Sequence, residues 1–379
     1  MADKKTKSTE DATRPDLSRR RFLGAAGSGL VAASVAGISP QATRAAELPA
    51  IRWGFVGTGG IANSMARIVA RTPSADLVAS SSRRMETAKA FAEKHDAKRA
   101  FDSWQKMVDW DGIDAVYVAT PTSVREEICV AAANAGKHVL GEKPFASNAS
   151  VLRITEACDA NGVAFMDGTH FAHHPRTLEL KSRLDELIGT RRTVNSVFQF
   201  PLADPNNIRL QPRLEPMGAI GDAGWYNMRA IVEYLGGDIE VAGLRAYLRR
   251  DDATGAAVGA SGVVAFTNGS SSTWNCGFDA GAVMASLRID GVKGSVDIEN
   301  FLSQDSDDSG SYRLRSGGWW VESVDERIRV ESSLPGAALM FEDFAAQVHE
   351  PSLRAQWARA TLRTQALLDA VWQDALSNE

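Results

Sequence analysis

Residues 51–62 narrow the possible folds more than any other stretch. Ile51-Arg52-Trp53-Gly54-Phe55-Val56 is a short apolar run of the kind that forms a buried strand. It leads directly into Gly57-Thr58-Gly59-Gly60-Ile61-Ala62, a G-x-G-x-x-A pattern, and then into helical patterning over 63–71. Strand, glycine turn and helix in that order mark a dinucleotide-binding unit. The first glycine permits the tight turn, the second lets a pyrophosphate approach the backbone, and the small third residue lets helix and strand pack closely. Unpaired N–H groups at the helix start then face the phosphates. Gly57, Thr58, Gly59, Gly60, Ile61 and Ala62 are therefore expected to hold a dinucleotide.

The second strand is read over 77–82. A site built for NAD ends this strand with Asp or Glu to hold the ribose 2′-hydroxyl. Here the chain continues Ser82-Arg83-Arg84. A hydroxyl beside guanidinium groups suits a 2′-phosphate, which Arg binds through paired hydrogen bonds. NADP is favoured over NAD, the other reading of the arginines being a solvated helix start. Helices over 86–94, 103–110, 124–135 and 150–160 then alternate with strands over 115–119, 137–140 and 163–166. That alternation implies a doubly wound parallel sheet. Ligands bind beyond the C-terminal ends of such strands. Gly57, Ala119-Thr120-Pro121 and Glu142-Lys143-Pro144 all lie at strand ends, so they are expected to converge on one crevice.

Ahead of this unit the first 46 residues carry eight Lys/Arg against four acids. Ser18-Arg19-Arg20-Arg21-Phe22-Leu23 precedes a Gly- and Ala-rich run over 24–38 and a small-residue zone at 42–46. These are the parts of an export signal, with the paired arginines of the twin-arginine type. The run is too weakly apolar for a stable membrane span, which wants about 20 strongly apolar residues. The expected location is the periplasm, with the twin-arginine translocase as a transient partner, or a membrane anchor if the signal stays uncleaved. With a formal charge of -5 overall and a basic head, the remaining body is acidic, which excludes a sequence-independent nucleic-acid binder. Cys129, Cys158 and Cys276 are scattered, so neither a disulfide framework nor a metal site is indicated.

Beyond residue 168 the pattern changes. An amphipathic helix over 175–187, a strand over 193–200 and a helix over 221–235 precede recurring strand-like runs between 239 and 330. The runs at 241–249, 262–267, 271–276, 285–290 and 294–298 are joined by turns, as in an antiparallel meander. The fold class is α/β: a doubly wound domain over 50–168, then an α+β domain over 169–379 that takes in C-terminal helices at 338–374.

The chain resembles the Gfo/Idh/MocA family of glucose–fructose oxidoreductase and inositol dehydrogenase over roughly residues 50 to 375. The likeness rests on Gly57-x-Gly59-x-x-Ala62, Ala119-Thr120-Pro121, Glu142-Lys143-Pro144, Met166-Asp167-Gly168 with His174-Pro175, and Gly221-Asp222-x-Gly224-x-Tyr226. It implies a second domain built on a large, mainly antiparallel open sheet that commonly forms an oligomer interface, here a homodimer or homotetramer. There are departures. Many members carry His where this chain has Arg125, and the Tyr-bearing branch often has Arg before an aromatic where it has Ala172 and His173. Many end the last motif in His as general acid/base, where this chain has Tyr226. That places it near the Tyr-bearing branch, in which Tyr and the E-K-P Lys form the catalytic pair.

Hydride transfer at a carbinol carbon needs a group to carry the hydroxyl proton and a charge to steady the developing oxyanion. Tyr226 is expected to be the proton carrier. Lys143 is expected to depress its pKa, the converse split with Lys143 as base remaining open. Asp222, four residues before Tyr226, could orient a substrate hydroxyl or cap its helix. Of His170, His173 and His174, the last is placed first as a substrate-side group because His-Pro matches the family, and no ligand set completes a metal site. The expected function is an exported NADP-dependent oxidoreductase on a sugar, polyol or related hydroxy-ketone, with the cofactor held and recycled. The alternatives are a redox-neutral glycosidase using bound NAD, and a cofactor-binding protein without turnover.

Overall fold

The computed structural model describes residues 49–236 and 238–379. The paired arginines and the rest of the head lie outside them. The first sheet holds β1 (Ile51–Val56), β2 (Ala75–Ser81), β3 (Arg99–Phe101), β4 (Ala115–Val118), β5 (His138–Gly141) and β6 (Phe165–Asp167). Their order is β3-β2-β1-β4-β5-β6, and every pairing is parallel. The direction of winding reverses between β1 and β4, which opens a crevice there.

Strand alternation explains why helices cover both faces. Trp53, Phe55, Ala115 and Tyr117 pack to one side with Met65, Ala66 and Val69 of the helix Gly60–Val69. Val56, Val116 and Val118 pack to the other, with Ile128 and Cys129 of the helix Thr122–Asn134. A continuous apolar run is what burial on both faces requires. All three cysteines are buried and unbridged.

The second sheet has eight strands: β7 (Arg191–Pro201), β8 (Val241–Arg250), β9 (Ala257–Phe266), β10 (Ser271–Gly277), β11 (Asp279–Gly291), β12 (Ser295–Ile298), β13 (Gly310–Gly318) and β14 (Val321–Val330). It is mainly antiparallel, in the order β14-β13-β12-β11-β7-β10-β9-β8. The meander read from the sequence is present over β8-β9-β10 and over β11-β12, but it is interrupted between β10 and β11. β7, first in the chain, sits between β11 and β10 and pairs parallel with β10. The hairpin of β13 and β14 was not singled out either, because charged residues interrupt its apolar positions along a sheet edge.

Two further differences bear on the site. The C-terminal helices do not belong to the second sheet alone. The helix Gly336–His349 lies on the parallel sheet, where Phe341 and Phe344 stand 5.1 Å and 4.8 Å from Trp53, ring centre to ring centre. Its apolar stripe completes the burial of β1, so the boundary at 168/169 separates sequence rather than core. The single helix expected over 221–235 is two, Gly218–Asp222 and Gly224–Tyr234, parted at Ala223.

A buried ionic chain ties the second of these helices to β6. Asp167 accepts hydrogen bonds from Arg229 Nη1 at 2.7 Å and Thr361 Oγ1 at 2.6 Å, as well as from Thr169 Oγ1. Arg229 Nε donates to Glu233 at 2.7 Å, and Lys181 pairs with the other oxygen of Glu233. Trp225 Nε1 donates to Thr169 Oγ1 at 2.7 Å. The helix that carries Tyr226 is thereby held in a set rotation against the parallel sheet.

Candidate active site

Strand register builds the site. Val56 pairs with Val118, Val118 with Gly141, and Gly141 with Asp167. The next residues, Gly57, Ala119, Glu142 and Gly168, therefore emerge side by side along the C-terminal edge. The expected convergence of the three motifs is present.

At the glycine turn, Gly57 has φ +102°, and a Cβ there would lie 2.6 Å from the Ala119 carbonyl oxygen. Only glycine fits. At Gly59 and Gly60 a Cβ would meet nothing within 4 Å, so that side of the turn is open. Ala62 is buried, and Ile61 is exposed at the rim. Among the described residues the N–H groups of Thr58, Gly59 and Gly60 have no backbone acceptor. Asn63 holds the turn from behind: its Nδ2 donates to Thr58 O at 3.0 Å and Gly59 O at 2.9 Å. Lys94 Nζ donates to Asn63 Oδ1 at 2.9 Å, and His95 Nε2 lies 2.9 Å from the same oxygen. The sequence reading missed Asn63, Lys94 and His95. The available signal was a polar residue in the first helical turn, where the backbone has carbonyls to tie back. An open glycine turn with free N–H groups at a helix start fits a pyrophosphate.

At the end of β2 the picture is narrower than expected. Ser82 Oγ sits 2.7 Å from Thr87 Oγ1, which itself donates to Arg84 O at 2.8 Å. The Ser82 proton is thus spent on Thr87. Arg83 and Arg84 are exposed, and among the described residues neither has an ion-pair partner, so they are the donors left for a phosphate.

On the parallel-sheet side of the seam stands Arg125, which the sequence marked only as a departure. It is buried, and its guanidinium donates to the carbonyls of Thr120 and Pro144, joining the loops after β4 and β5. Thr120 Oγ1 is buried without a partner among the described residues. Pro121 leads into the helix Thr122–Asn134, whose first N–H meets a carboxylate from the second domain: Glu215 accepts from Thr122 N at 3.1 Å and Thr122 Oγ1 at 2.6 Å. Glu142 turns inward, taking the Tyr117 hydroxyl and packing over Gly168, where a Cβ would lie 2.8 Å from Oε1. It buttresses Lys143 rather than lining the open turn. Burial raises its pKa, against the pull of Lys143 and Tyr117.

Lys143 Nζ donates to Asp222 Oδ1 at 2.6 Å and to Asp222 O at 2.9 Å, and stands 4.6 Å above the centre of the Tyr226 ring. The two side chains of the ion pair are 7% and 15% exposed, so the contact is screened little by water. Arg209, from the segment after β7, closes the other side of the carboxylate with Nε to Oδ2 at 2.6 Å. The sequence offered no spacing that would bring Arg209 here. Burial alone would raise Asp222, but Lys143 and Arg209 outweigh it and hold the carboxyl well below the usual range. Asp222 makes no cap to the helix Gly224–Tyr234, so the capping alternative is set aside.

Two expectations need correction. The Tyr226 phenol is not depressed as expected. Burial first, then the charges of Glu142 and Asp222, raise the phenol well above its usual 10, with Arg209 opposing. The Lys143 ammonium is paired with Asp222, which Arg209 shares, and it lies over the ring face rather than beside the hydroxyl. His174 does not serve the site. Its Nε2 donates to Asp308 O at 2.9 Å, and its Nδ1 accepts from Arg176 N at 3.1 Å, capping the helix Pro175–Ile188. Both nitrogens are spent, and burial pushes its pKa down to about 4. His173 stacks on Trp357 at 4.2 Å and bonds Asp343. The histidine that reaches Tyr226 is His170, with ring centres 6.1 Å apart.

Tyr226 is buried against Phe198, Phe171 and His170, and its hydroxyl makes no hydrogen bond among the described residues. A neutral phenol with a free proton, next to an ammonium held by a carboxylate, can protonate a forming alkoxide.

A parallel sheet with a glycine-turned first strand, facing a large second sheet across such a seam, defines a two-domain dinucleotide-binding protein. The family model described as "Oxidoreductase family, NAD-binding Rossmann fold" (GFO_IDH_MocA) matches residues 51–169, and that of the GFO/IDH/MocA C-terminal domain matches 178–297. The chain belongs to the Gfo/Idh/MocA family of oxidoreductases. It is 38% identical over 151 residues to scyllo-inositol 2-dehydrogenase (NADP(+)) of Bacillus subtilis (strain 168), covering 40% of this chain and 46% of that protein. It is 32% identical over 222 residues to dTDP-3,4-didehydro-2,6-dideoxy-alpha-D-glucose 3-reductase of Actinomadura kijaniata, covering 58% of this chain and 66% of that protein. The matches thus span about half to two thirds of these curated relatives. In structure it is similar to a 3-ketoreductase from Actinomadura kijaniata in complex with NADP and TDP-benzene, with TM-score 0.78 and 26% identity over 86% of this chain and 98% of that one.

Proposed function

We propose that this protein is an exported NADP-dependent oxidoreductase that moves hydride to or from a sugar, polyol or related hydroxy-ketone. NADP supplies or accepts the hydride. The glycine turn would hold its pyrophosphate, Arg83 and Arg84 its 2′-phosphate, and Ala119-Thr120-Pro121 the wall beside its ring. Tyr226 carries the substrate proton. Lys143, positioned by Asp222 and Arg209, steadies negative charge on the reacting oxygen. This is the chemistry of the family's Tyr-bearing branch. The observation that carries it is the Lys143 ammonium 4.6 Å over the Tyr226 ring, with the phenol kept protonated by burial. A protonated donor suits carbonyl reduction, and alcohol oxidation should quicken as pH rises.

The deciding assay follows the reduced-nicotinamide absorbance of the purified protein with a panel of aldoses, ketoses and inositols. NADPH is expected to be preferred to NADH. Arg83→Ala with Arg84→Ala should raise the KM for NADPH by roughly 10- to 100-fold, the worth of charge-assisted hydrogen bonds, and leave that for NADH unchanged. An unaltered preference would overturn the assignment of the arginines.

We include export through the twin-arginine translocase, supported by Ser18-Arg19-Arg20-Arg21-Phe22-Leu23, with NADP retained and recycled by a second substrate. Periplasmic protein is expected to carry nicotinamide and to run as two or four copies in light scattering. Arg19→Lys with Arg20→Lys should strand it in the cytoplasm; unimpaired export of that variant would refute the route.

A further inference from the structure

His170 opens the turn His170–His173 that follows β6. Unlike His173 and His174, its imidazole makes no hydrogen bond among the described residues. Neither ring nitrogen is among the sealed polar atoms, so both face reachable space. Burial first, then Lys143 and His173, lower its pKa to about 4, which leaves the ring neutral at neutral pH. A neutral imidazole offers one N–H donor and one bare acceptor nitrogen. The other side chains around the Tyr226 ring cannot supply that pair. Phe171 and Phe198 are apolar, and Lys143 is engaged by Asp222.

A donor and an acceptor set one ring away from the proton carrier match a hydroxyl on the carbon next to the reacting one. A substrate lacking that hydroxyl would cover both nitrogens and pair neither, which costs affinity. We propose that His170 is a specificity-determining residue that binds the hydroxyl vicinal to the reacting carbon, so that the site selects α-hydroxy carbonyls and vicinal diols over their deoxy counterparts. This rests on the sugar-oxidoreductase function above.

The test compares His170→Phe, which keeps a ring but loses both nitrogens, with His170→Asn, which keeps a donor and an acceptor. Each is assayed on every sugar the wild type turns over and on its deoxy analogue at the neighbouring carbon, starting with D-glucose and 2-deoxy-D-glucose. His170→Phe is expected to erase a roughly 10- to 100-fold preference in kcat/KM by slowing the hydroxylated sugar alone, with NADPH affinity intact and part of the preference restored in His170→Asn. A preference that survives His170→Phe, or an equal loss on both sugars, overturns the assignment. A second readout needs no turnover. The imidazole NMR signals that vanish in His170→Phe should shift when myo-inositol is added to the wild type and not when an equal amount of cyclohexanol is added. If no sugar is turned over, the oxidoreductase function fails and this shift still decides: its presence supports the vicinal-hydroxyl site, and its absence refutes it.

Discussion

Tyr226→Phe is expected to lower turnover by roughly a hundred- to ten-thousand-fold, the range for removal of a positioned proton carrier. The loss should be confined to chemistry. Phe keeps the ring contacts to Phe198 at 5.4 Å and Phe171 at 6.2 Å, and the ring face under Lys143. The hydroxyl has no partner among the described residues, so removing it leaves no buried group unpaired. Thermal stability and NADPH affinity should therefore stay near wild type. The pH profile is a second check. Because burial, Glu142 and Asp222 hold the phenol protonated well past its usual range, the wild-type reduction rate should show no Tyr226 inflection between about pH 6 and pH 9. A variant that keeps half of the wild-type rate would remove Tyr226 from the chemistry and return the proton to Lys143 or water.

Arg229→Met should give the largest loss of stability. Arg229 and Asp167 have side chains 1% exposed, and Arg229 also serves Glu233. Met matches much of the volume but leaves the buried Asp167 carboxylate without its cation and Glu233 with Lys181 alone, a loss of about 3–5 kcal/mol. The sign of the pH dependence follows from Asp167. Burial raises its pKa, but Arg229 and the Thr169 and Thr361 hydroxyls overcome this and hold it below the ordinary value. Its contribution is fully present above the unfolded carboxylate pKa of about 3.9 and is lost as pH falls through the lower folded value. Without Arg229 burial dominates, the folded pKa rises, and acid relieves the variant. Urea unfolding should show a wide gap between wild type and variant at pH 7 that narrows towards pH 4. A gap that stays constant would mean the loss is one of packing rather than charge. Since this ionic chain also sets the helix carrying Tyr226, a milder Arg229→Lys should lower kcat more than it raises the KM for NADPH.

The first sheet was legible because its signals are local. β1 and the glycine turn lie within a dozen residues, and each parallel strand declares itself as an apolar run ending at a loop. The second sheet was legible in class but not in order. Nothing near β7 announces that it will pair in parallel with β10, whose residues lie some eighty positions on. β13 and β14 escaped because an edge hairpin need not be apolar on either side. Among the site residues, those on strand ends and in the glycine turn were found by position. Tyr226 and Asp222 were found through the family motif.

The sequence by itself determined the α/β class, the glycine turn, the missing acid after β2 and the strand ends where a ligand must bind, because each follows from contacts within a few residues. Which imidazole reaches the site, what occupies the Lys143 ammonium and whether the phenol keeps its proton were decided only by tertiary structure. Lys143 and Asp222 are 79 residues apart, and Asp167 and Thr361 are 194 apart. The reason is physical: a pKa and a hydrogen-bond partner depend on what lies within a few ångströms in space, and on how much water has been removed. His174 looked the better candidate in the chain, but packing spent both its nitrogens on a helix end and a loop carbonyl, and left His170 open beside Tyr226.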